Sequence, residues 1–239
     1  MIKQALALTL LALAAHSQAS DAEKTPPFWG GAAELGSITT SGNTETSSLN
    51  GKFALWRKGI DWDTNYRLEA LTSEEDGTVS KETYYGSVQF DRNFGEHSYL
   101  AIHADQERAR FSGFTYQSTV SIGYGYRVIE SDTMKLDLEA GPGYNRDKLE
   151  NSGEIKDQGI ARLVLKYGWE INKGTVFTQT ASAEMGGDNS TYKSETGLKS
   201  QINGSLATKL TYKIKYVDQV PEENKNLDKE FGVTLVYSF

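Results

Sequence analysis

His103 and Asp105 lie two residues apart, and Ser112 follows them in the chain. On an extended segment, positions i and i+2 share a face. An imidazole oriented by that carboxylate beside a serine hydroxyl is the arrangement of Ser-His-Asp hydrolysis. The local sequence argues against it: no nucleophile motif surrounds Ser112, and a His/Asp pair at this spacing is common on any polar strand face. No catalytic residue is assigned, and the chain is read as a non-enzyme. His97 sits in a short polar turn and is read as solvated. With two histidines in the body of the chain and no cysteine, no transition-metal spacing occurs, and neither metal nor cofactor is expected. Glu74-Glu75-Asp76-Gly77 and Glu222-Glu223 offer weak Ca²⁺ ligands, or divalent bridges to a phosphorylated lipid, but read first as solvated loops.

Charge is more informative in its alternation than in any cluster. Asp61, Asp63, Arg67 and Glu69 interleave with Trp62, Thr64, Tyr66, Leu68 and Ala70. Lys135, Asp137 and Glu139 interleave with Met134, Leu136, Leu138 and Ala140, and Lys213 and Lys215 with Tyr212, Ile214 and Tyr216. Such strands carry one charged and one apolar face, as a wall with water on one side and lipid on the other requires. Asp61, Asp63, Arg67, Glu69, Asp105, Arg127, Asp137, Glu139, Arg162, Lys166, Lys199, Lys213 and Lys215 are therefore the candidate lumen-lining residues. Lys52, Arg57, Asp91, Lys135, Lys193 and Glu195 join them. Acidic residues dominate the third strand and basic ones the tenth and eleventh. In a closed barrel, opposite charges on facing walls either brace the interior or set a field across a narrow pore; simple hydration is the third option.

The elements that must hold these residues are strands. The period-two pattern gives about twelve, over 29–41, 46–58, 61–72, 81–92, 98–108, 115–128, 134–146, 157–170, 175–186, 192–202, 207–218 and 229–239. Several exceed the usual 5–6 residues and match the ten or so of a tilted membrane-spanning strand. Pro142, between Gly141 and Gly143, predicts a bulge or bend. Gly123 and Gly125 alternate with Tyr124 and Tyr126 and predict a curved strand. Long connections are expected at 73–80, 109–114, 147–156, 187–191 and 219–228, with short turns between them. An even strand count then puts every long loop outside and the C-terminus in the periplasm. Phe231, Val233, Leu235, Tyr237 and Phe239 form a wholly apolar face ending on an aromatic, and resemble the C-terminal signature by which outer-membrane barrels are recognised for assembly.

The expectation is an all-β fold: one antiparallel, up-and-down transmembrane β-barrel at 29–239. Residues 1–19 read as a cleaved signal peptide, with Lys3, an apolar run from Ala5 to Ala15 and a Ser17-Gln18-Ala19 cleavage site. A short periplasmic segment, 20–28, follows. The net charge of −7 argues against nucleic acid. The mean hydropathy of −0.52 suits a wall that is apolar only on alternate positions. The expected partners are outer-membrane lipid, lipopolysaccharide and the barrel-assembly machinery.

Trp29-Gly30-Gly31-Ala32-Ala33-Glu34-Leu35-Gly36, then Thr40-Ser41-Gly42-Asn43-Thr44-Glu45, resembles the opening of the salt-induced outer-membrane protein family (YdiY-like, of unknown function). Gly141-Pro142-Gly143-Tyr144 and the final strand resemble it as well. The resemblance implies an outer-membrane barrel and a link to salt or osmotic response, and brings no catalytic residue. Two functions stay open: a narrow pore or solute channel, and a non-conducting structural barrel of the envelope. An outer-membrane hydrolase is a distant third.

Overall fold

Alternation of apolar and charged residues leaves one low-energy arrangement for strands in a bilayer, a sheet closed on itself. The computed structural model has this form and describes residues 29–40, 46–221 and 224–239. Its twelve strands are β1 Trp29–Thr40, β2 Thr46–Arg57, β3 Trp62–Glu75, β4 Thr78–Phe94, β5 Ser98–Arg110 and β6 Phe114–Glu130, followed by β7 Met134–Leu149, β8 Ile155–Asn172, β9 Thr175–Gly186, β10 Ser190–Gln201, β11 Leu206–Val217 and β12 Leu227–Ser238. Each pairs antiparallel with its neighbours in the chain, and β1 pairs with β12 to close the ring. The signal-peptide and periplasmic segments, the Gly42-Asn43-Thr44-Glu45 turn and Glu222-Glu223 lie outside the described residues.

Burial is inverted relative to a water-soluble protein. Glu139 and Glu184 are 5% and 3% exposed, whereas Val120, Ile122, Tyr124, Tyr126 and Val128 are all more than two-fifths exposed. The carboxylates face the lumen and the apolar stripe faces out, giving a band of nine residues on β6, the span expected of a tilted strand. At the closing seam, β1 meets β12 over only four pairs, Ala32–Leu35 with Ser238–Leu235. Below these, Gly31 and Phe239 exchange both backbone hydrogen bonds, at 2.8 and 2.9 Å. The Phe239 ring lies over Gly31, where a Cβ would come within 2.4 Å of it. The terminal aromatic is thus a structural latch on the lipid face.

Two expectations need correction. The 73–80 connection is not a loop: β3 and β4 continue to a two-residue turn at Asp76 and Gly77, both with positive φ. That is the type I′ turn an Asp-Gly pair favours. Beyond the apolar band both faces of a hairpin are wet, so the strands continue without alternation. Pro142 causes no bulge either. The β6–β7 register is unchanged across it, with Ser121 opposite Gly143 and Tyr124 opposite Ala140, and the paired bonds are interrupted where proline has no N–H. The register shifts on this hairpin lie instead between Phe114 and Tyr116 and between Arg127 and Ile129. Gly125 is also required by a side chain, because a Cβ there would sit 2.2 Å from the Tyr99 ring.

Candidate functional site

The inward positions of all strands converge on one polar interior. At mid-height, Arg67 of β3 hydrogen-bonds Glu69 on its own strand and reaches across the lumen to Glu195 of β10. Lys213 of β11 donates to Glu69 at 2.5 Å. Lys52 of β2 lies 3.3 Å from Glu195 and 3.5 Å from Glu69. Lys209 donates to Glu34 at 3.1 Å beside the seam and lies 3.8 Å from Glu195. Each carboxylate is surrounded by cations, as burial of charge demands.

A second tier lies toward the end opposite Trp29 and Phe239. Lys215 of β11 donates to Glu107 of β5 at 2.7 Å and to Gln117 of β6 at 2.8 Å. Lys193 of β10 lies 3.8 Å from Asp105, which also contacts His103 Nε2 at 3.0 Å. Beyond them, Lys81 of β4 meets Glu230 of β12 at 2.6 Å.

The Lys215–Glu107 contact fixes the shape of the interior. β5 and β11 are six strands apart in a ring of twelve, so they are diametrically opposed. A circular twelve-stranded barrel is about 24 Å across between its backbone walls. An extended Lys and Glu joined by a hydrogen bond span at most about 14 Å between Cα atoms. The barrel is therefore pinched along the β5–β11 direction, and side chains fill the narrow axis.

A third tier centres on Glu139 of β7. It accepts from Lys166 at 2.5 Å, from Gln89 at 2.9 Å and from the Tyr99 hydroxyl at 2.9 Å, with Arg162 at 3.8 Å. Arg162 also lies 3.6 Å from Glu184. The Tyr99 ring fills the space over Gly125, and Arg127 stacks on it at 5.0 Å while donating to Asn93 at 2.6 Å. Nearer the end that holds Trp29 and Phe239, Asp63 accepts from Lys58 at 2.8 Å and from the Gly59 amide at 3.1 Å.

Of the residues expected to line the lumen, the structure brings Asp63, Arg67, Glu69, Asp105, Arg127, Glu139, Arg162, Lys166, Lys213 and Lys215 into these tiers. Asp137 faces the same interior in register with Arg127 and Lys166, and Lys199 sits opposite Lys209. Asp61 does not: it lies exposed in the turn before β3, because the strand begins one residue later. Arg57 alternates with the inward Trp56 and pairs with the outward Trp29, so it belongs to the outer face. Ser112 is separated from His103 and Asp105, and its hydroxyl is committed to the Ala109 carbonyl at 2.6 Å within its own turn. Glu34, Glu107, Glu184 and Lys209 were missed, although each lies on the charged phase of its strand. Tyr99, Gln89 and Gln117 were missed because a tyrosine or an amide gives no charge signal. The Gly125 gap opposite Tyr99 was the available clue.

Comparison with known proteins agrees with this architecture. A curated relative, the uncharacterized protein YdiY of Escherichia coli strain K12, is 26% identical over 214 residues, covering 89% of this chain and 83% of the relative. Among solved structures, the NanC porin aligns with a TM-score of 0.50 at 9% identity, over 86% of this chain and 98% of the porin. An outer-membrane channel from Pseudomonas putida F1 aligns with a TM-score of 0.50 at 11% identity, over 94% of this chain and 100% of the channel. At these identities the likeness shows the fold alone, that of outer-membrane β-barrels. The family model described as "Protein of unknown function, DUF481" matches residues 33–239. The chain belongs to that DUF481 family, the YdiY-like proteins of unknown function.

Proposed function

We propose that this chain is a passive, constricted channel of the Gram-negative outer membrane, its permeation path running between salt-bridged tiers. The diametric Lys215–Glu107 contact is the observation that carries this reading. In a ring of fixed perimeter a pinch along one axis lengthens the other, and on this reading water and small ions pass there while the broader solutes an open circular barrel would admit are excluded. The likeness in fold to a porin and to an outer-membrane channel lends support. Catalysis has no part in it.

The same tiers suggest how salt would matter. Lys213 and Arg67 keep about a third of their side-chain surface accessible, so their pairs are partly screened by mobile ions. Rising ionic strength weakens the braces and widens the path. Planar-bilayer recording of the refolded chain tests the proposal. Small single-channel steps are expected, with conductance rising more steeply with salt than bulk conductivity does. Absence of steps at every salt concentration, for the wild type and for Lys215→Ala alike, would transfer the reading to a non-conducting structural barrel. The tiers alone would also serve that second role, as cross-braces.

A further inference from the structure

We infer that the outer wall around β3–β7 is a docking site for one lipid class, the phosphorylated lipid A anchor of lipopolysaccharide. The inference rests on residence in the outer membrane but not on conduction. A groove of about 750 Å³ crosses the lipid-facing surface from β11 to β5. Its floor is made of small residues, Gly51, Ala70 and Gly86, which register side by side with the larger Phe53, Leu68 and Tyr84. Acyl chains are the ligand such an apolar trough accepts.

Glu34, Lys52 and Glu69 border the groove but turn their side chains to the lumen, so among its outward-facing residues charge marks one end only. The groove terminates at Gln106 and Arg108 of β5, on the outward phase of that strand, because Gly86 pairs with Gln106 and Tyr84 with Arg108. Two strands away, about 10 Å, β7 presents Arg146 and Lys148 on the same outward phase, facing Ser118 and Tyr116. Three cations thus sit on the membrane side of the wall, immediately beyond the apolar stretch that ends at Ala104 on β5, Val120 on β6 and Tyr144 on β7. Arg146 is held by Asp157 at 3.2 Å and Arg110 by Glu82 at 3.3 Å. Among the described residues no carboxylate pairs with Arg108 or Lys148. Cations at that level cost desolvation unless an anion meets them, and guanidinium recognises phosphate with paired hydrogen bonds.

The level also selects the lipid. The start of β1 at Trp29 and the end of β12 beside Phe239 lie at the opposite end of the barrel, the periplasmic end for this fold. The patch therefore faces the outer leaflet, where phosphate is carried by lipopolysaccharide. The Tyr84, Tyr116 and Tyr144 rings supply the aromatic belt expected at an interface.

Native mass spectrometry of the full chain released from micelles tests the site. The probes are bisphosphorylated lipid A, lipid A stripped of its phosphates, and phosphatidylethanolamine. The wild type should hold the bisphosphorylated form at least about tenfold more tightly than the other two. Arg108→Ala, Arg146→Ala and Lys148→Ala together should erase that preference, and Gly86→Leu, which fills the groove and leaves the charges, should lower affinity for all three probes. Heat-modifiable migration in SDS gels confirms that each variant is folded. Should the triple variant not fold, the exposed single change Arg108→Gln should still lower lipid A affinity by about threefold. Equal binding of phosphatidylethanolamine and lipid A by the wild type, or wild-type affinity in a folded charge variant, overturns the site. Either outcome leaves the channel proposal untouched, since conductance does not enter the measurement.

Discussion

Gly125→Ala is the most informative small change in the lumen. The added methyl would lie 2.2, 2.3 and 2.6 Å from three atoms of the Tyr99 ring. The ring must then swing away, because β6 is held between two paired neighbours. Moving it breaks the 2.9 Å bond from the Tyr99 hydroxyl to Glu139 and removes the surface on which Arg127 stacks. Overpacking costs about 1–3 kcal/mol and loss of a hydrogen bond to a charged group about 1.5–3 kcal/mol. The two overlap, since the ring leaves once, so the expected destabilisation is about 2–4 kcal/mol. Urea unfolding from lipid vesicles, followed by tryptophan fluorescence, reads it. The control is a double-mutant cycle: in a Tyr99→Ala background the same methyl meets empty space and should cost less than about 0.5 kcal/mol. An equal cost in both backgrounds would refute the assignment of Gly125 to the Tyr99 ring.

Gly141→Ala should be costlier still, because its Cβ would meet the Ile122 carbonyl oxygen at 2.1 Å and the Gly123 Cα at 2.4 Å, backbone atoms that cannot rotate away. Gly168→Ala, with nothing within 4 Å of the new methyl, is the matched control and should unfold at the wild-type urea concentration. Gly31→Val pushes the Phe239 ring off the seam, which rests on four strand pairs, and should lower the yield of the heat-modifiable folded band during refolding. Lys209→Met sets an apolar side chain where Glu34 had its cation beside that seam and should destabilise by about 1–3 kcal/mol in the same urea assay.

The wall was legible in the sequence and its contents only partly so. Alternation such as Met134-Lys135-Leu136-Asp137 is a local signal, and it gave strands, faces and the even count. Where alternation fades it misled: Ser73 to Ser80 is polar on both phases because both faces of that hairpin are wet, and the Asp76-Gly77 turn signal was the better guide. Cross-lumen partners are a global property. Nothing near Lys215 points to Glu107, more than a hundred residues earlier. The pairing follows only once a ring of twelve sets β5 opposite β11. Acid-rich β3 and base-rich β11 did foreshadow the Lys213–Glu69 contact, since a net imbalance on one wall needs its complement on the other, whereas the Arg67–Glu195 contact runs with the opposite polarity and had no such signal. Tyr99 carried no such imbalance and was invisible.

The pinch itself is measurable as a distance. Spin labels at Gln106 and Tyr216, the outward neighbours of Glu107 and Lys215, report the width of the barrel between β5 and β11 by pulsed electron paramagnetic resonance of the chain in lipid bilayers. A salt-bridged lumen places them about 10 Å closer than a circular twelve-stranded barrel would, with the distance lengthening when Glu107→Ala and Lys215→Ala remove the bridge. The full circular separation in the wild type, unchanged by those substitutions, would contradict it.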